Sequence, residues 1–288
     1  MKNILITGGA GFIGSNLCEE LVKKEDFRVT SLDNYSTGSS ENHIQGVNYI
    51  AGDTSQIEKL VDFKPDIVYH LGEYSRVEQS FFEVEKVWNY NKLGTFSVLE
   101  FCRKNKCKIV YAGSSTKFGD GGLGRSQSPY GWTKASNTEL VVNYGEWFGL
   151  DYAICYFYNA FGKREISKGK YATLIALFAE KMRKGENLTV VSPGNQRRNF
   201  TNVKDIISAL VLIGEKGHGD EYGIGNSESF SVLEIAKIFG GNIDMIPPRK
   251  GNRFDSSVIS EKTLSLGWKP KYSVVEYIKD LKQKNWSA

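Results

Sequence analysis

Three residues near the middle of the chain have the types needed to take a proton from a hydroxyl. Tyr130 and Lys134 stand four apart in SPYGWTKAS, and Ser114 stands in AGSSTKFG. Pro129 suits the first position of a helix, and a helix from about residue 130 puts Tyr130 and Lys134 on one face. A free tyrosine ionises near ~10, too high for a base at neutral pH, and a neighbouring ammonium favours the phenolate. Such a phenolate accepts a hydroxyl proton while hydride leaves the same carbon. Ser114 would hydrogen-bond the reacting oxygen and pass the proton to Tyr130. The plainer reading of Ser114 and Ser115 is a turn with local backbone bonds.

Chemistry of that kind needs a hydride acceptor, and the first residues of the chain supply a place for one. Ile4, Leu5 and Ile6 form an apolar run like a buried parallel strand. Gly8, Gly11 and Gly14 follow in a GxxGxxG spacing, and residues 15–24 then read as helix. A strand that turns through glycines into a helix makes an anion site for a pyrophosphate. Asp33 ends the second predicted strand, 28–32, in SLDNYSTG. A carboxylate there accepts from a ribose diol and repels a 2′-phosphate, which favours NAD over NADP. The nicotinamide ring of oxidised NAD is a second cation that would favour the Tyr130 phenolate.

The elements that must carry these residues alternate. Strands are predicted at 47–51, 66–70, 108–112 and 151–156, and helices at 57–63, 84–104 and from 130 onward. Strand–helix alternation implies crossover units and a parallel sheet. Ligands gather at the C-terminal strand ends of such sheets, here Gly8, Asp33, Asp53, Gly72, Ser114 and Asn159. The second half reads as shorter pieces: helices at 171–184, 205–214, 232–239 and 274–284, and strands at 188–191, 200–203 and 222–224. The loop 119–128, rich in glycine, reads equally as a lid or as a surface excursion.

The 288 residues carry 37 Lys and Arg against 33 Asp and Glu, a net charge of +4 with no basic run. Nucleic acid is not implied as a partner. The four cysteines form no CxxC, and the three histidines are scattered, so no metal site is expected. His70, closing an apolar strand, reads as a packed histidine. No apolar run is long enough to span a bilayer, and a cytoplasmic enzyme with no membrane partner is the expectation.

Taken together, TGGAGFIG, LDNYSTG, AGD at 51–53, HLGEYSRVEQS at 70–80, NKLGT at 91–95, GSSTKFG, YGWTK, YFYNAFG at 156–162, RRNFTNVKD at 197–205 and LGWKP at 266–270 resemble one family in its own order. That family is the extended short-chain dehydrogenase/reductase family, in its NAD-dependent nucleotide-sugar epimerase and dehydratase branch. The resemblance implies an α/β fold, a Rossmann-type doubly wound parallel sheet with a smaller mixed α/β C-terminal substrate lobe. Residues 1–160 would form the NAD-binding domain, with later segments returning to it, and 161–288 mainly the nucleotide-sugar lobe. Besides the glycines and Asp33, the cofactor would meet Phe12, Ile13 and Asn34. It would also meet Asp53 at the adenine, Thr54, Leu71 and Gly72. Tyr130 and Lys134 complete that set, Lys134 bonding the nicotinamide ribose. On the substrate side Asn159 would lie near the diphosphate, and Arg198 and Arg249 would pair with it, because the guanidinium fork suits phosphate oxygens.

Two departures shape the expected reaction. Dehydratases of this branch carry Asp-Glu after the catalytic Ser or Thr, where this chain has Ser115 and Thr116. Neither is a strong acid or base near neutral pH, which counts against loss of water. Glu73 stands where the family has a small residue. With Tyr74 and Arg76 it would shape the sugar pocket, act as an extra acid or base, or bond backbone groups. The expectation is hydride removal at sugar C4, giving a 4-keto intermediate, in a 4-epimerase or net 4-dehydrogenase that supplies surface polysaccharide precursors. A 4,6-dehydratase, an NADPH-dependent keto-sugar reductase and a non-catalytic dinucleotide-binding regulator are the alternatives. Pairing through helices 84–104 and 130–148, as a homodimer or higher homo-oligomer, is expected from the same resemblance.

Overall fold

The run Ile4, Leu5, Ile6 is fully buried at the heart of a seven-stranded sheet. The computed structural model describes residues 1–247 and 261–287. Its sheet strands are β1 (Lys2–Thr7), β2 (Phe27–Asp33), β3 (Asn48–Ala51), β4 (Ile67–His70), β5 (Lys108–Ser114), β6 (Tyr152–Phe157) and, after four short strands, β11 (Gly219–Ile224). Their spatial order is β11-β6-β5-β4-β1-β2-β3, every pairing parallel. The order reverses between β1 and β4, so the C-terminal ends of those two strands border the crevice where ligands bind in such sheets. The last strand comes from the second half of the chain.

Both faces of the sheet are covered, which is why its central strands, β4, β5 and β6 with the middle of β1, are buried and largely apolar. On one face α1 (Phe12–Leu21) and α7 (Val203–Lys216) pack on Ile4, Ile6, Val110 and Cys155. On the other, α4 (Gly94–Asn105) and α5 (Pro129–Phe148) pack on Leu5, Val68, Ile109 and Ile154, with the short α2 (Ile57–Leu60) beside them. Helix 57–63 is shorter than its pattern predicts: a 3₁₀ turn, Thr54–Gln56, precedes it, and the chain extends at Val61. The predicted helix 84–104 is interrupted. Short α3 (Val84–Val87) leads through a π-helical turn, Trp88–Leu93, into α4.

A third core lies outside the sheet. Phe161, Phe178, Leu188, Ile235, Phe239 and Ile278 form its centre. They come from α6 (Leu174–Lys184), α8 (Val232–Phe239) and α10 (Val274–Gln283), with three two-stranded ladders alongside. In these β7 (Ala160–Phe161) pairs with β10 (Thr201–Asn202), β9 (Arg197–Asn199) with β12 (Ser229–Ser231), and β8 (Leu188–Val191) with β13 (Ile243–Ile246). Helix α9 (Glu261–Ser265) returns to β11, where Thr263 donates to the Gly223 carbonyl. The four cysteines are buried free thiols, and among the described residues no group of side chains is placed to hold a metal. No described helix is long and apolar enough to cross a membrane.

Candidate active site

One cavity of about 570 Å³ opens along the C-terminal ends of β1, β2, β4 and β5. Its dinucleotide side is made largely of backbone. Gly8 holds φ +75°, and a Cβ there would stand 2.9 Å from the Gly72 backbone. At Gly14 a Cβ would stand 2.1 Å from the Gly8 carbonyl oxygen. That contact lets α1 begin at Phe12, with Gly11 as its cap, three residues before the start expected at 15. Phe12, Ile13 and Gly14 therefore border the cavity with the first turn of the helix, where backbone N–H groups lack helical acceptors. This is a cradle that side chains would fill, and its chemistry fits a diphosphate.

Asp33 stands at the end of β2, beside that cradle. Its two oxygens accept from Ala10 N at 2.9 Å and Tyr35 N at 2.8 Å. Burial pushes its carboxyl up, and those two N–H bonds pull it back down. Each oxygen keeps a further acceptor position, which fits a ribose diol. Asn34, Thr54, Leu71 and Gly72 also border the cavity. Asp53 does not: it accepts from Asn34 Nδ2 at 3.0 Å and from Ser55 N at 2.9 Å, and so steadies Asn34 and the turn that carries Thr54.

The three proton-handling residues meet on the facing wall. Ser114 ends β5 and Tyr130 opens α5, whose cap is the Ser128 side chain accepting from Gly131 N at 3.0 Å. The Tyr130 hydroxyl lies 3.0 Å from Ser114 Oγ. Thr116 Oγ1 lies 2.8 Å from the same oxygen. Lys134 is one helical turn on. Its ammonium sits 4.7 Å above the Tyr111 ring and donates to the Ala112 carbonyl and to Glu73.

Glu73 is turned into this cluster. Its side chain is 3% exposed and that of Lys134 6%, so the ion pair is buried at the cavity wall. Besides Lys134 it accepts from Thr95 Oγ1 at 2.9 Å, Asn137 Nδ2 at 3.0 Å and the Tyr111 hydroxyl at 3.2 Å. All its partners are side chains, not backbone groups. Behind it, Thr7 Oγ1 accepts from Leu71 N and Gly72 N, which leaves its proton for His70 Nδ1 at 2.7 Å. His70 then carries its proton on Nε2 and donates to Thr95 Oγ1 at 3.0 Å, and Thr95 donates onward to Glu73. Burial lowers His70 to about 4, so it stays neutral in this chain.

Toward the second lobe the cavity is bordered by Ser115, Thr116, Asn159 and Arg198. Asn159 takes φ +34° and donates to the Asn199 carbonyl, which ties the end of β6 to β9. Arg198, on β9, donates to the Arg197 carbonyl. Arg249 lies outside the described residues. Arg76 also borders the cavity, its guanidinium donating to the Tyr171 carbonyl and to Ser75. Tyr90, Thr173 and Phe200 border it as well. The sequence reading does not single these three out as site residues.

Comparison with known proteins agrees with this geometry. A curated relative from Bacillus cytotoxicus, a UDP-N-acetyl-alpha-D-glucosaminuronate decarboxylase, is 32% identical over 256 residues, covering 82% of this chain and 78% of the relative. The solved UDP-glucose 4-epimerase of Thermotoga maritima, with UDP-glucose, superposes with a TM-score of 0.88 at 26% identity, covering 99% of this chain and all of that one. The Thermus thermophilus UDP-glucose 4-epimerase, in complex with NAD, gives a TM-score of 0.88 at 27% identity, covering 99% and 98%. The model of the NAD dependent epimerase/dehydratase family matches residues 4–225, and with the glycine cradle, Asp33 and the Ser114–Tyr130–Lys134 cluster in place, the chain belongs to that family.

Proposed function

We propose that this protein is an NAD-dependent nucleotide-sugar 4-epimerase. The observation that carries the reading is the Tyr130 hydroxyl at 3.0 Å from Ser114 Oγ, on the wall facing the dinucleotide cradle, with Ser115 and Thr116 beside it where a dehydratase needs an acid pair. The glycine turn, Asp33, Asn34 and Thr54 would hold the cofactor. NAD, when bound, supplies the acceptor for a hydride.

Tyr130 takes the proton of the sugar C4 hydroxyl as the C4–H bond breaks with its electron pair. Ser114 hydrogen-bonds the same oxygen and keeps it in reach of Tyr130. Lys134 fixes the tyrosine's side of the site and presents its remaining N–H to the ribose. Arg198 would draw the substrate diphosphate to the second lobe, as a planar fork suits phosphate oxygens. Ser115 and Thr116 offer hydroxyls that position the sugar but cannot abstract a proton from C5 or expel water. What remains for the C4 ketone is reduction from its other face, with Tyr130 returning the proton, or release.

The product would feed surface polysaccharide assembly. The outer faces of α3, the π-turn, α4 and α5 expose Trp88, Leu93, Phe96, Trp132, Trp147 and Phe148, and pairing of two copies there would bury them.

The test is mass analysis of products from a panel of UDP-, GDP-, CDP- and dTDP-sugars. An unchanged mass with a new sugar supports the epimerase. Loss of two hydrogens means the ketone escapes, and loss of water overturns the role given to Ser115 and Thr116.

A further inference from the structure

Arg76 borders the cavity on the loop that leaves β4, half-buried and without a counter-ion. Its Nε and Nη2 donate to the Tyr171 carbonyl, and its Nη1 donates to the Ser75 carbonyl and hydroxyl. Four of its five N–H groups are thereby engaged, and the one left over is on Nη2. Among the described residues no carboxylate lies within ion-pair distance of it.

The acids of the adjoining segments are engaged elsewhere. Glu73 is taken by Lys134, and Glu83 by Lys86, Lys170 and the hydroxyls of Tyr74 and Tyr171. Glu165 accepts from Gly162 N and Thr173 Oγ1. An acid paired with a guanidinium is held low, whereas burial pushes Glu165 up to about 7. The loop's two ends say where the charge stands. Glu73 is bonded to Lys134, one helical turn from Tyr130, and Arg76 to the backbone of Tyr171, next to Ala172 and Thr173 on the cavity border. A sugar whose C4 hydroxyl meets Tyr130 and whose diphosphate meets Arg198 passes between those ends.

We propose that the substrate's sugar carries a carboxylate and that Arg76 selects it. The inference rests on the nucleotide-sugar reading above and narrows it to acidic sugars. A uronate suits the space as well as the charge. Exchanging a hydroxymethyl group for a carboxylate adds a negative charge and little volume, in a cavity of about 570 Å³ that must also take the nicotinamide. The spare Nη2 N–H would donate to one carboxylate oxygen, a charge-assisted bond stronger than any a neutral sugar offers there.

The experiment measures dissociation constants by calorimetry on NAD-loaded Tyr130→Phe protein, which leaves both ligands unconsumed. UDP-glucuronate is set against UDP-glucose, and matching dTDP- and GDP-linked pairs follow. For the nucleotide that binds, the acidic sugar should bind about tenfold tighter than the neutral one, or more. Adding Arg76→Gln should abolish that ratio by weakening the acidic sugar alone. Arg76→Lys, which keeps the charge, should retain most of it. Unchanged affinity for the neutral sugar shows in each variant that the cavity is intact. Equal binding of the two sugars with Arg76 in place overturns the inference and leaves the nucleotide-sugar reading standing; this arm needs no Arg76 variant to fold. Loss of both sugars alike in Arg76→Gln also overturns it, because Arg76 then serves the diphosphate or the tie to Tyr171. If no pair binds with any nucleotide, the reading itself falls and takes the inference with it.

Discussion

The two walls of the cavity are built by different means. On the dinucleotide side the backbone does the recognising: Gly8 and Gly14 are there for what they lack, and α1 starts where a side chain would stand. The facing wall is made of side chains, and several are held by partners far off in sequence. Arg76 is fixed by the Tyr171 carbonyl and Glu73 by Asn137, separations of 95 and 64 residues. A backbone site tolerates no added atom. A side-chain site loses function in increments.

The sharpest break should come at the glycine turn. Gly14→Val drives atoms into the Gly8 carbonyl, and the purified protein should retain no NAD when its supernatant is analysed after denaturation. Next is Tyr130→Phe, which should lower the rate of hydride removal by about 10²–10⁴-fold with NAD content unchanged, read as reduction of bound cofactor by substrate. A paired measurement then sets one wall against the other. Asp33→Ala should weaken NAD binding about tenfold or more while leaving the sugar KM alone, and Arg198→Ala should raise the sugar KM about tenfold while leaving NAD binding alone. If both variants disturb both ligands, the walls do not act separately.

The last effect concerns stability, away from either ligand. His70 is held neutral to about 4 in the fold, against an ordinary value near ~6.5 in the unfolded chain. Its folded value is depressed, so the unfolded chain takes up the proton first. The stability it contributes is complete above about 6.5 and falls as pH drops toward 4, by about 3 kcal/mol in all. Thermal midpoints should decline across that window, and more steeply than in His70→Gln.

Where the chemistry depends on short spacing, it is legible in the sequence. Gly8 to Gly14, Asp33 at a strand end, and Tyr130 with Lys134 each need only one local element, and the structure brings them to one cavity. Helix α8 is bounded as its pattern predicts, because a capping box of Ser231 and Glu234 marks its start and Gly240 its end. The short helix at Ile57–Leu60 and the split of 84–104 are not legible; in the split, Asn91 is bonded to the backbone of Tyr74, a partner the local pattern does not show. Glu73 draws notice only as a large acid in a small residue's place. Its partner, Lys134, appears only when β4, β5 and α5 are set side by side.

The π-helical turn at Trp88–Leu93 winds one surplus residue into an otherwise continuous rod. Within it Asn91 points inward and clasps the backbone of Tyr74, while Trp88 stays outside, stacked on Trp132 at 5.9 Å. An ordinary helix advances about 100° per residue. Deleting one position from this turn would therefore spin everything before it by more than a quarter circle relative to α4, carrying Trp88 off its neighbour. The surplus residue sets the phase between an outward aromatic and an inward clasp, and a chain of the same composition without it could keep only one of the two.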